Sequence, residues 1–252
     1  MDQDPSDDAR FDAGYQAWLK DNPGKRFSEY FEAVYVPKID RGVAHDSLGQ
    51  NLKRADWRDM GKSPFKLISR IHDALTGGTG GLPQDMTVCD FGCGTLRIGA
   101  HVMAHLAPGR YIGLDIAQAL IDNGSAAWAD RVAERQPLLG TFDTTLDAAI
   151  AAAPDLLFAF NVACHIHPDE EAVFFDRITS LLHKPGAIAL IHVLVADKSL
   201  RYQESGWAHP VDHYVRALAP LRLRPHPLEF LTSVEKSSQR LDSRVLAFER
   251  PR

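Results

Sequence analysis

The sequence predicts an α/β protein in which buried strands and amphipathic helices alternate along the chain. Two observations carry this prediction. Short apolar runs with the composition of buried strands recur, as in residues 87–91 and 155–160. Each run is followed by turn residues and then by apolar residues at helical spacing. Such alternation is typical of an open, doubly wound sheet, in which ligands bind beyond the carboxyl ends of the strands.

The most informative segment is residues 86–99, MTVCDFGCGTLRIG. Its first part predicts a short buried strand that carries Asp90 near its carboxyl end. Gly92 and Gly94 then lie in a loop where the missing Cβ atoms allow positive φ angles and a close approach by a ligand. From Thr95 onward, apolar residues at helical spacing predict a helix. A strand, a glycine loop and a helix N-terminus together indicate a nucleotide-like ligand.

The residues around the glycines indicate which ligand this is. A dinucleotide fingerprint needs a third glycine, and Arg97 stands at that position. The carboxylate of Asp90 immediately before the loop repels phosphate, which favours a cationic or hydroxyl-rich ligand. A nucleotide-dependent oxidoreductase remains the alternative for this segment.

Residues 90–94, DFGCG, resemble motif I of the class I S-adenosylmethionine-dependent methyltransferases. Leu182, Lys184, Pro185 and Gly186 match the turn into the fifth strand of that family, independently of motif I. The resemblance extends from about Phe65 to the C-terminus. It implies a seven-stranded, mostly parallel, doubly wound sheet with a C-terminal antiparallel hairpin, preceded by an N-terminal helical extension. It also implies S-adenosyl-L-methionine as cofactor and S-adenosyl-L-homocysteine as product.

Composition limits the classes of function. The chain has 252 residues, enough for one α/β domain with additions, and a formal net charge of -5, which argues against a broad nucleic-acid surface. Three cysteines in or beside predicted strands indicate reduced thiols. The N-terminus is acidic, and no apolar run is long enough to span a bilayer. We therefore expect a soluble, cytoplasmic protein without a membrane or nucleic-acid partner.

The predicted domains are a helical extension, residues 1–64, and an S-adenosylmethionine-binding domain, residues 65–252. The first ten residues or so are polar and charged, which predicts disorder. Aromatic and aliphatic residues at helical spacing predict helices over residues 11–19 and 28–36. The resemblance implies that these helices cap the cofactor, and the alternative is that they only pack on the sheet edge.

The later elements follow from the same patterns of apolar residues and turns. Predicted helices cover residues 65–75, 116–129, 146–152, 169–182 and 213–219, and predicted strands cover residues 111–114, 138–142, 155–160, 187–195, 221–231 and 241–248.

Two acidic residues after the second and third predicted strands are candidate cofactor ligands. Asp115 lies 21 residues after Gly94, where a carboxylate can accept both ribose hydroxyls, and the alternative is a helix N-cap. The resemblance implies that Asp143 accepts a hydrogen bond from the adenine amino group and that Phe142 packs on the ring. Asp143 can equally cap the following helix. The complete predicted cofactor set is Asp90, Gly92, Cys93, Gly94, Arg97, Asp115, Ile116, Phe142, Asp143, Asn161 and Val162.

The segment after the fourth predicted strand carries the candidate catalytic residues. Residues 161–168, NVACHIHP, resemble motif IV and its downstream segment, which faces the transferable methyl group. We predict His165 as the general base or acceptor-orienting group and His167 as the second candidate, because histidine suits proton transfer near neutral pH. The alternative for both is a capping histidine or one satisfied in the core.

We predict no metal site. His101 and His105 lack the glutamate of a zinc-binding H-E-x-x-H helix. His209, Asp212 and His213 have the composition of a ligand set, but Pro210 makes a shared helical face doubtful. Metal-assisted activation of a hydroxyl group remains a minor alternative.

The sequence therefore predicts transfer of a methyl group from S-adenosylmethionine to a hydroxyl or amine of a small molecule. One alternative is a cofactor-fold protein that has lost catalysis and acts as a binding partner. Another is a macromolecule methyltransferase, although the sequence lacks the Asn/Asp-Pro-Pro-Tyr/Phe run of amino-methylating enzymes and an added basic domain. The oligomeric state is left open.

Overall fold

The computed structural model describes residues 14–37, 57–202, 206–236 and 239–252. The disorder predicted for the first ten residues falls outside these ranges. The strands are β1 (Val88–Phe91), β2 (Tyr111–Asp115), β3 (Leu138–Thr141), β4 (Leu156–Ala159), β5 (Ile188–Val195), β6 (Leu200–Tyr202), β7 (Gly206–Ala208), β8 (Arg222–Leu223), β9 (Phe230–Lys236) and β10 (Gln239–Glu249).

The helices of the described residues alternate with these strands. They are α1 (residues 14–21), α2 (Phe27–Val34), α3 (Lys62–Thr76), α4 (Gly99–His105), α5 (Gln118–Ala127), α6 (Ala129–Arg135), α7 (Phe142–Ala151), α8 (Glu171–Leu181) and α9 (Val211–Ala217). Short 3₁₀ turns cover Ala163–His165 and Pro168–Glu170, between β4 and α8.

The main sheet has the order β3-β2-β1-β4-β5-β10-β8, and β9 also pairs with β10. Strands β1 to β5 are parallel, and β10 is antiparallel to β5, β8 and β9. The predicted fold class is confirmed: a mostly parallel, doubly wound α/β sheet with antiparallel strands at the C-terminus. The chain reverses its direction of winding between β1 and β4, where the switch-point rule places a ligand.

The sheet has eight strands rather than seven because the predicted strand 221–231 is divided into β8 and β9. Pro225 and Pro227 lie between these two strands. Proline has no backbone N–H to donate to a ladder, so pairing stops there and resumes at Phe230. Both short strands lie along the same edge of β10.

Alternating strand residues build a core on each face of the sheet, as period-2 geometry requires. On one face, β1 contributes Cys89 and Phe91 to a core with residues of α7, α8 and α9. On the other face, Val88 packs with residues of α3, α4 and α5. The two layers hold the carboxyl ends of the central strands in fixed positions.

Several helix boundaries differ from the sequence prediction, and two of the differences have a clear cause. Phe142 begins α7 instead of ending β3, because Thr141 already takes the extended N-cap conformation, with φ -75° and ψ 162°. The helix predicted over residues 116–129 is divided at Trp128, which leaves the helical region at φ -119° and ψ 29°. No described helix has both the length and the apolar character needed to cross a membrane.

The N-terminal helices join the domain through a cluster of aromatic residues. The cluster consists of Tyr15, Phe27, Tyr30, Tyr35 and Trp207, so it combines α1 and α2 with β7. The start of α2 is also held by a carboxylate: Glu170 accepts hydrogen bonds from the backbone N–H of Ser28 at 2.9 Å and from its hydroxyl group at 2.5 Å. These contacts place α2 beside the carboxyl ends of the strands.

Candidate functional site

A cavity of about 300 Å³ lies at the carboxyl ends of the central strands, with α2 along one side. Every residue that the sequence analysis assigns to the cofactor or to catalysis lines this cavity. Side chains of Arg26, Phe31 and Glu32 also line it. Helix α2 therefore does more than pack on the sheet, since it forms part of the wall of the cavity.

The glycine loop after β1 needs glycine at two positions for different reasons. Gly92 has φ +86° and Gly94 has φ +50°. A Cβ atom on Gly92 would collide with the side chain of Val162, whereas one on Gly94 would meet no atom within 4 Å. The backbone N–H groups of Gly92 and Cys93 both donate to the Leu114 carbonyl, at 2.8 and 2.9 Å. The loop is thus tied to β2, and its backbone at Gly94 stands open.

Asp115 connects the glycine loop to the start of α5. Its Oδ2 accepts the Gly94 N–H at 2.8 Å, and its Oδ1 accepts the Ala117 N–H at 3.1 Å. The side chain is buried, and this burial raises the pKa of the carboxyl group, against the effect of the amide hydrogen bonds. The N-cap of α5 is Ala117, and this helix has no side-chain cap, so Asp115 holds the loop before the helix without being its N-cap. Each oxygen of a carboxylate can accept a further hydrogen bond, so these two bonds leave capacity for a ligand hydroxyl.

Asp90 is a buried carboxyl group beside the loop. Burial raises its pKa to about 7, and the nearby charge of Asp115 adds to this effect. The hydroxyl group of Tyr111 and the charge of Arg97 act in the opposite direction. At neutral pH this carboxyl group is close to its midpoint, so a cation bound beside it would drive it to the ionised form.

Phe142 and Asp143 lie where β3 passes into α7. The ring of Phe142 is buried against Phe91, with centroids 4.6 Å apart, and the guanidinium of Arg177 lies 4.8 Å from its centroid. Asp143 occupies the first turn of α7, and its side chain is 87% exposed, with Oδ1 3.8 Å from Nη2 of Arg177. An acid in a first helical turn interacts favourably with the helix dipole, and its exposure leaves it accessible to a ligand.

The loop after β4 is held by a histidine that the sequence analysis missed. Asn161 has φ +59°, and its backbone N–H donates to Nδ1 of His192 at 3.2 Å. The other ring nitrogen of His192 lies 2.8 Å from Oγ of Ser243. Burial lowers the pKa of His192 to about 4, so the ring is neutral and Nε2 carries the proton donated to Ser243. A lone polar residue in the apolar run of β5, IALIHVLV, was the available signal.

His165 and His167 have different surroundings. His165 ends the turn Ala163–His165, lines the cavity and contributes to the low pKa of His192 through its charge. His167 is buried, and its Nδ1 accepts the backbone N–H of Asp169 at 3.2 Å. The His167 ring stacks on Phe27 with centroids 5.3 Å apart. The capping alternative thus describes His167 well, although both histidines line the cavity.

A family model described as a methyltransferase domain matches residues 89–188, which run from β1 to the start of β5. Over these residues the chain is similar to a methyltransferase domain. The match confirms the resemblance read from motif I and from the turn at Lys184. Solved structures of similar fold contain S-adenosylmethionine or S-adenosyl-L-homocysteine, in agreement with the predicted cofactor. No curated protein sequence matches the chain at a significant level.

Several solved structures share the fold of this chain. Magnesium protoporphyrin IX methyltransferase from Synechocystis PCC 6803, solved with S-adenosylmethionine, is 15% identical with a TM-score of 0.54, and the match covers 89% of this chain and 95% of that one. Geranyl diphosphate C-methyltransferase from Streptomyces coelicolor A3(2), solved with Mg²⁺, geranyl diphosphate and S-adenosyl-L-homocysteine, is 12% identical with a TM-score of 0.56, covering 90% and 99%. The [4+2]-cyclase SpnF is 15% identical with a TM-score of 0.54, covering 79% and 84%.

The histidines considered as metal ligands in the sequence have different surroundings in the folded chain. His105 bonds the Leu82 carbonyl through Nε2, and His101 packs against Trp128, so these two histidines have separate surroundings. Among the described residues, one group of three offers ligand atoms close together: Glu171, His209 and His213. Sequence spacing did not reveal Glu171, because it lies 38 residues before His209 and reaches it only through the fold.

Proposed function

We propose that this protein transfers a methyl group from S-adenosylmethionine to a hydroxyl or amine group of a small molecule. The observation that carries the proposal is the pair of buried acids, Asp90 and Asp115, on either side of a glycine loop that opens into one cavity. Buried carboxylates are costly unless a ligand or partner compensates them. A ligand with an ammonium, a sulfonium and ribose hydroxyls supplies those partners.

Each part of the cofactor has a matching group on the chain. The ionised form of Asp90 binds the ammonium, and Arg97 supplies positive charge for the amino-acid carboxylate. Asp115 accepts the ribose hydroxyls with the capacity left by its two amide bonds. Asp143 accepts the adenine amino group, and the ring lies against Phe142. The remaining predicted cofactor residues, Gly92, Cys93, Gly94, Ile116, Asn161 and Val162, complete the wall.

Methyl transfer requires an in-line approach of the acceptor to the methyl carbon. The acceptor's lone pair forms the new bond, the C–S bond breaks, and its electron pair stays on sulfur as S-adenosylhomocysteine leaves. A hydroxyl or ammonium acceptor must also lose a proton, which His165 takes or helps to orient. A positioned general base contributes typically about 10²–10⁴-fold to the rate, and correct alignment of the two reactants supplies further rate enhancement.

Small acceptors are favoured by the enclosure of the cavity. Helix α2 closes one side through the bonds between Ser28 and Glu170. Two methyltransferases of similar fold are named for small molecules, magnesium protoporphyrin IX and geranyl diphosphate.

The net charge of -5 argues against a nucleic-acid partner. The buried free cysteines agree with a cytoplasmic location, and we retain residues 1–64 as an extension and 65–252 as the cofactor domain.

Calorimetric titration tests the cofactor assignment. S-adenosylmethionine and S-adenosylhomocysteine should bind the full chain with one site, and NAD should not. The double variant Asp90→Ala, Asp115→Ala should lose this binding. The matched control is Asp122→Ala, an exposed acid of α5, which should bind as the wild type does. Tight binding of NAD, or unchanged affinity in the double variant, would overturn the proposal.

A second measurement separates catalysis from binding alone. The purified protein is incubated with S-adenosylmethionine and a panel of hydroxyl and amine acceptors, and release of S-adenosylhomocysteine is followed. Acceptor-dependent release supports the enzyme. Cofactor binding without release on any acceptor would instead support the alternative of a catalytically inactive binding protein.

A further inference from the structure

A second cluster of chemically active side chains lies outside the cofactor cavity. It is formed by Glu171 at the first position of α8, His209 directly after β7, and His213 in the first turn of α9. Oε1 of Glu171 lies 2.9 Å from Nε2 of His209, and Oε2 lies 3.1 Å from Nε2 of His213. All three ligand atoms lie within 4.8 Å of one another. Three separate elements thus converge on one point.

His209 is held in place by its own surroundings. Its backbone N–H donates to the Leu194 carbonyl at 3.2 Å, and its carbonyl accepts the Ala196 N–H at 3.3 Å. Its Nδ1 lies 2.8 Å from Oγ of Ser199, which fixes the orientation of the ring. Metal-binding histidines commonly have such a partner on the second ring nitrogen, because it sets the tautomer.

The inward nitrogen of His209 lacks a well-aligned partner. His209 is 6% exposed, and its buried Nε2 makes no hydrogen bond of acceptable geometry, although it lies beside Glu171. A buried polar atom without a partner is costly, and a ligand at the centre of the cluster would remove that cost. The rings of His209 and His213 lie parallel, with centroids 4.1 Å apart, and both turn Nε2 toward the carboxylate.

We propose that Glu171, His209 and His213 bind a divalent first-row transition metal ion, with Zn²⁺ as the reference ion. Donor atoms at the usual Zn–N and Zn–O distances, about 2.0–2.2 Å, lie roughly 3 Å apart, as the two measured separations do. Two imidazoles and one carboxylate select Zn²⁺, Co²⁺ or Ni²⁺ over Mg²⁺ and Ca²⁺, which prefer sets of oxygen ligands.

The site is accessible to an ion from solvent. The side chains of Glu171 and His213 are 16% and 27% exposed, so the cluster opens outward while His209 forms its buried side. Three protein ligands leave at least one coordination position for water or another ligand. The neighbour of Glu171, Glu170, holds the start of α2. A bound ion would therefore brace the turn to which the wall of the cofactor cavity is attached.

Metal titration of the full chain, with any affinity tag removed and the protein first treated with a chelator, tests the proposal. Zn²⁺ should bind with one ion per chain and raise the melting temperature. Mg²⁺, added instead of Zn²⁺, should have no effect on the melting temperature. Co²⁺ should give visible ligand-field absorption. Glu171→Gln and His213→Ala should each weaken Zn²⁺ binding by about 10–100-fold or more. The matched control is His183→Ala, an exposed histidine at the end of α8, which should leave binding unchanged.

A spectroscopic measurement on the wild type makes the test independent of the folding of any variant. X-ray absorption of the Zn²⁺ complex should show a nitrogen and oxygen shell with two imidazoles. Binding of less than one ion per chain would overturn the proposal. A shell without imidazole, or equal affinity in wild type, Glu171→Gln and His213→Ala, would do so too. None of these results depends on S-adenosylmethionine binding, so the two proposals fail separately.

Discussion

The hydroxyl group of Tyr111 donates a hydrogen bond of 2.8 Å to Oδ2 of Asp90, across the β1–β2 pair. Both side chains are buried, and Asp90 also lines the cavity at the carboxyl ends of the strands. The bond favours the ionised carboxylate, but burial has the larger effect and raises the pKa to about 7. Asp90 is thus costly to the free protein and suited to a cationic ligand.

We predict that Asp90→Asn stabilises the free protein, and more so as the pH rises. The folded pKa of Asp90 lies above the unfolded value of 3.8, so its contribution to stability is fully present below pH 3.8 and is lost as the pH rises to about 7. That loss is on the order of 4 kcal/mol at most. Denaturant unfolding of both proteins between about pH 4 and 8 measures it.

The control for this prediction is Asp122→Asn, because Asp122 is exposed. It should change the free energy of unfolding little, and equally at all pH values. A stabilisation by Asp90→Asn that does not grow with pH would contradict the raised pKa.

The raised pKa of Asp90 also leads us to predict how the affinity for S-adenosylmethionine depends on pH. Below about pH 7 the protonated carboxyl must release its proton before it can bind the ammonium. Affinity should therefore rise between about pH 5.5 and 7, by up to roughly tenfold per unit. Calorimetry at several pH values, in two buffers of different ionisation enthalpy, measures both the affinity and the proton released. Asp90→Asn should show weaker binding that varies less with pH.

We predict that substitution of Gly92 lowers the stability of the fold, whereas substitution of Gly94 lowers the affinity for the cofactor. Gly92→Ala puts a Cβ atom into the side chain of Val162 at φ +86°, so it should destabilise the fold by more than the usual 1–2 kcal/mol for a left-handed residue. Gly94→Ala has no such clash and meets only the backbone cost of φ +50°, so the protein should remain folded and lose cofactor affinity where the ligand approaches the backbone. Thermal unfolding and calorimetric titration of each variant distinguish the two effects. Normal cofactor binding by Gly94→Ala would show that the ligand does not approach there.

Local sequence signals were sufficient for the central part of the fold. The β1 strand, the glycine loop and α4 follow from short apolar runs and from glycines, and these patterns act over a few residues. The residues at the tips of the parallel strands were also predictable, because the topology brings those tips to one edge. Boundaries failed where a residue satisfied two patterns. Phe142 completes an apolar strand run and also begins a helix.

The contacts that the sequence could not predict are those between distant segments. Ser28 and Glu170 lie 142 residues apart, and no periodic pattern relates them. Glu171 reaches His209 and His213 only after α8, β7 and α9 have packed. The partners of His192, Asn161 and Ser243, lie 31 and 51 residues away in the sequence, so its role is visible only in the folded structure. Polar partners of this kind are set by tertiary structure rather than by local propensity.

We predict that the neutral His192 ring makes the free energy of unfolding fall in mild acid. Its folded pKa, about 4, lies below the ordinary value of 6.5, so the unfolded chain binds more protons between these pH values. The stabilisation is complete above about pH 6.5 and is lost as the pH falls to about 4, with a magnitude on the order of 3 kcal/mol. In His192→Gln the part of the pH dependence of the unfolding free energy that His192 causes should be absent. His183→Gln, at an exposed position, is the control and should retain the wild-type slope.

His165 carries the chemical part of the proposed function, and its substitution separates binding from catalysis. His165→Ala should lower turnover by about 10²–10⁴-fold with an acceptor that must lose a proton, because the general base is removed. Affinity for S-adenosylmethionine should stay near the wild-type value, since the acids proposed to hold the cofactor, Asp90 and Asp115, are unchanged in this variant. Single-turnover rates and calorimetric titration measure the two quantities.

His167→Ala is the informative contrast to this variant, because the His167 ring packs on Phe27 and its Nδ1 caps the turn at Asp169. Its main effect should be a lower melting temperature and a higher acceptor KM, since the turn that holds α2 is loosened. Full turnover in His165→Ala would remove His165 from the chemistry. If His167→Ala instead lost turnover without loss of stability, the general base would be His167, which also lines the cavity.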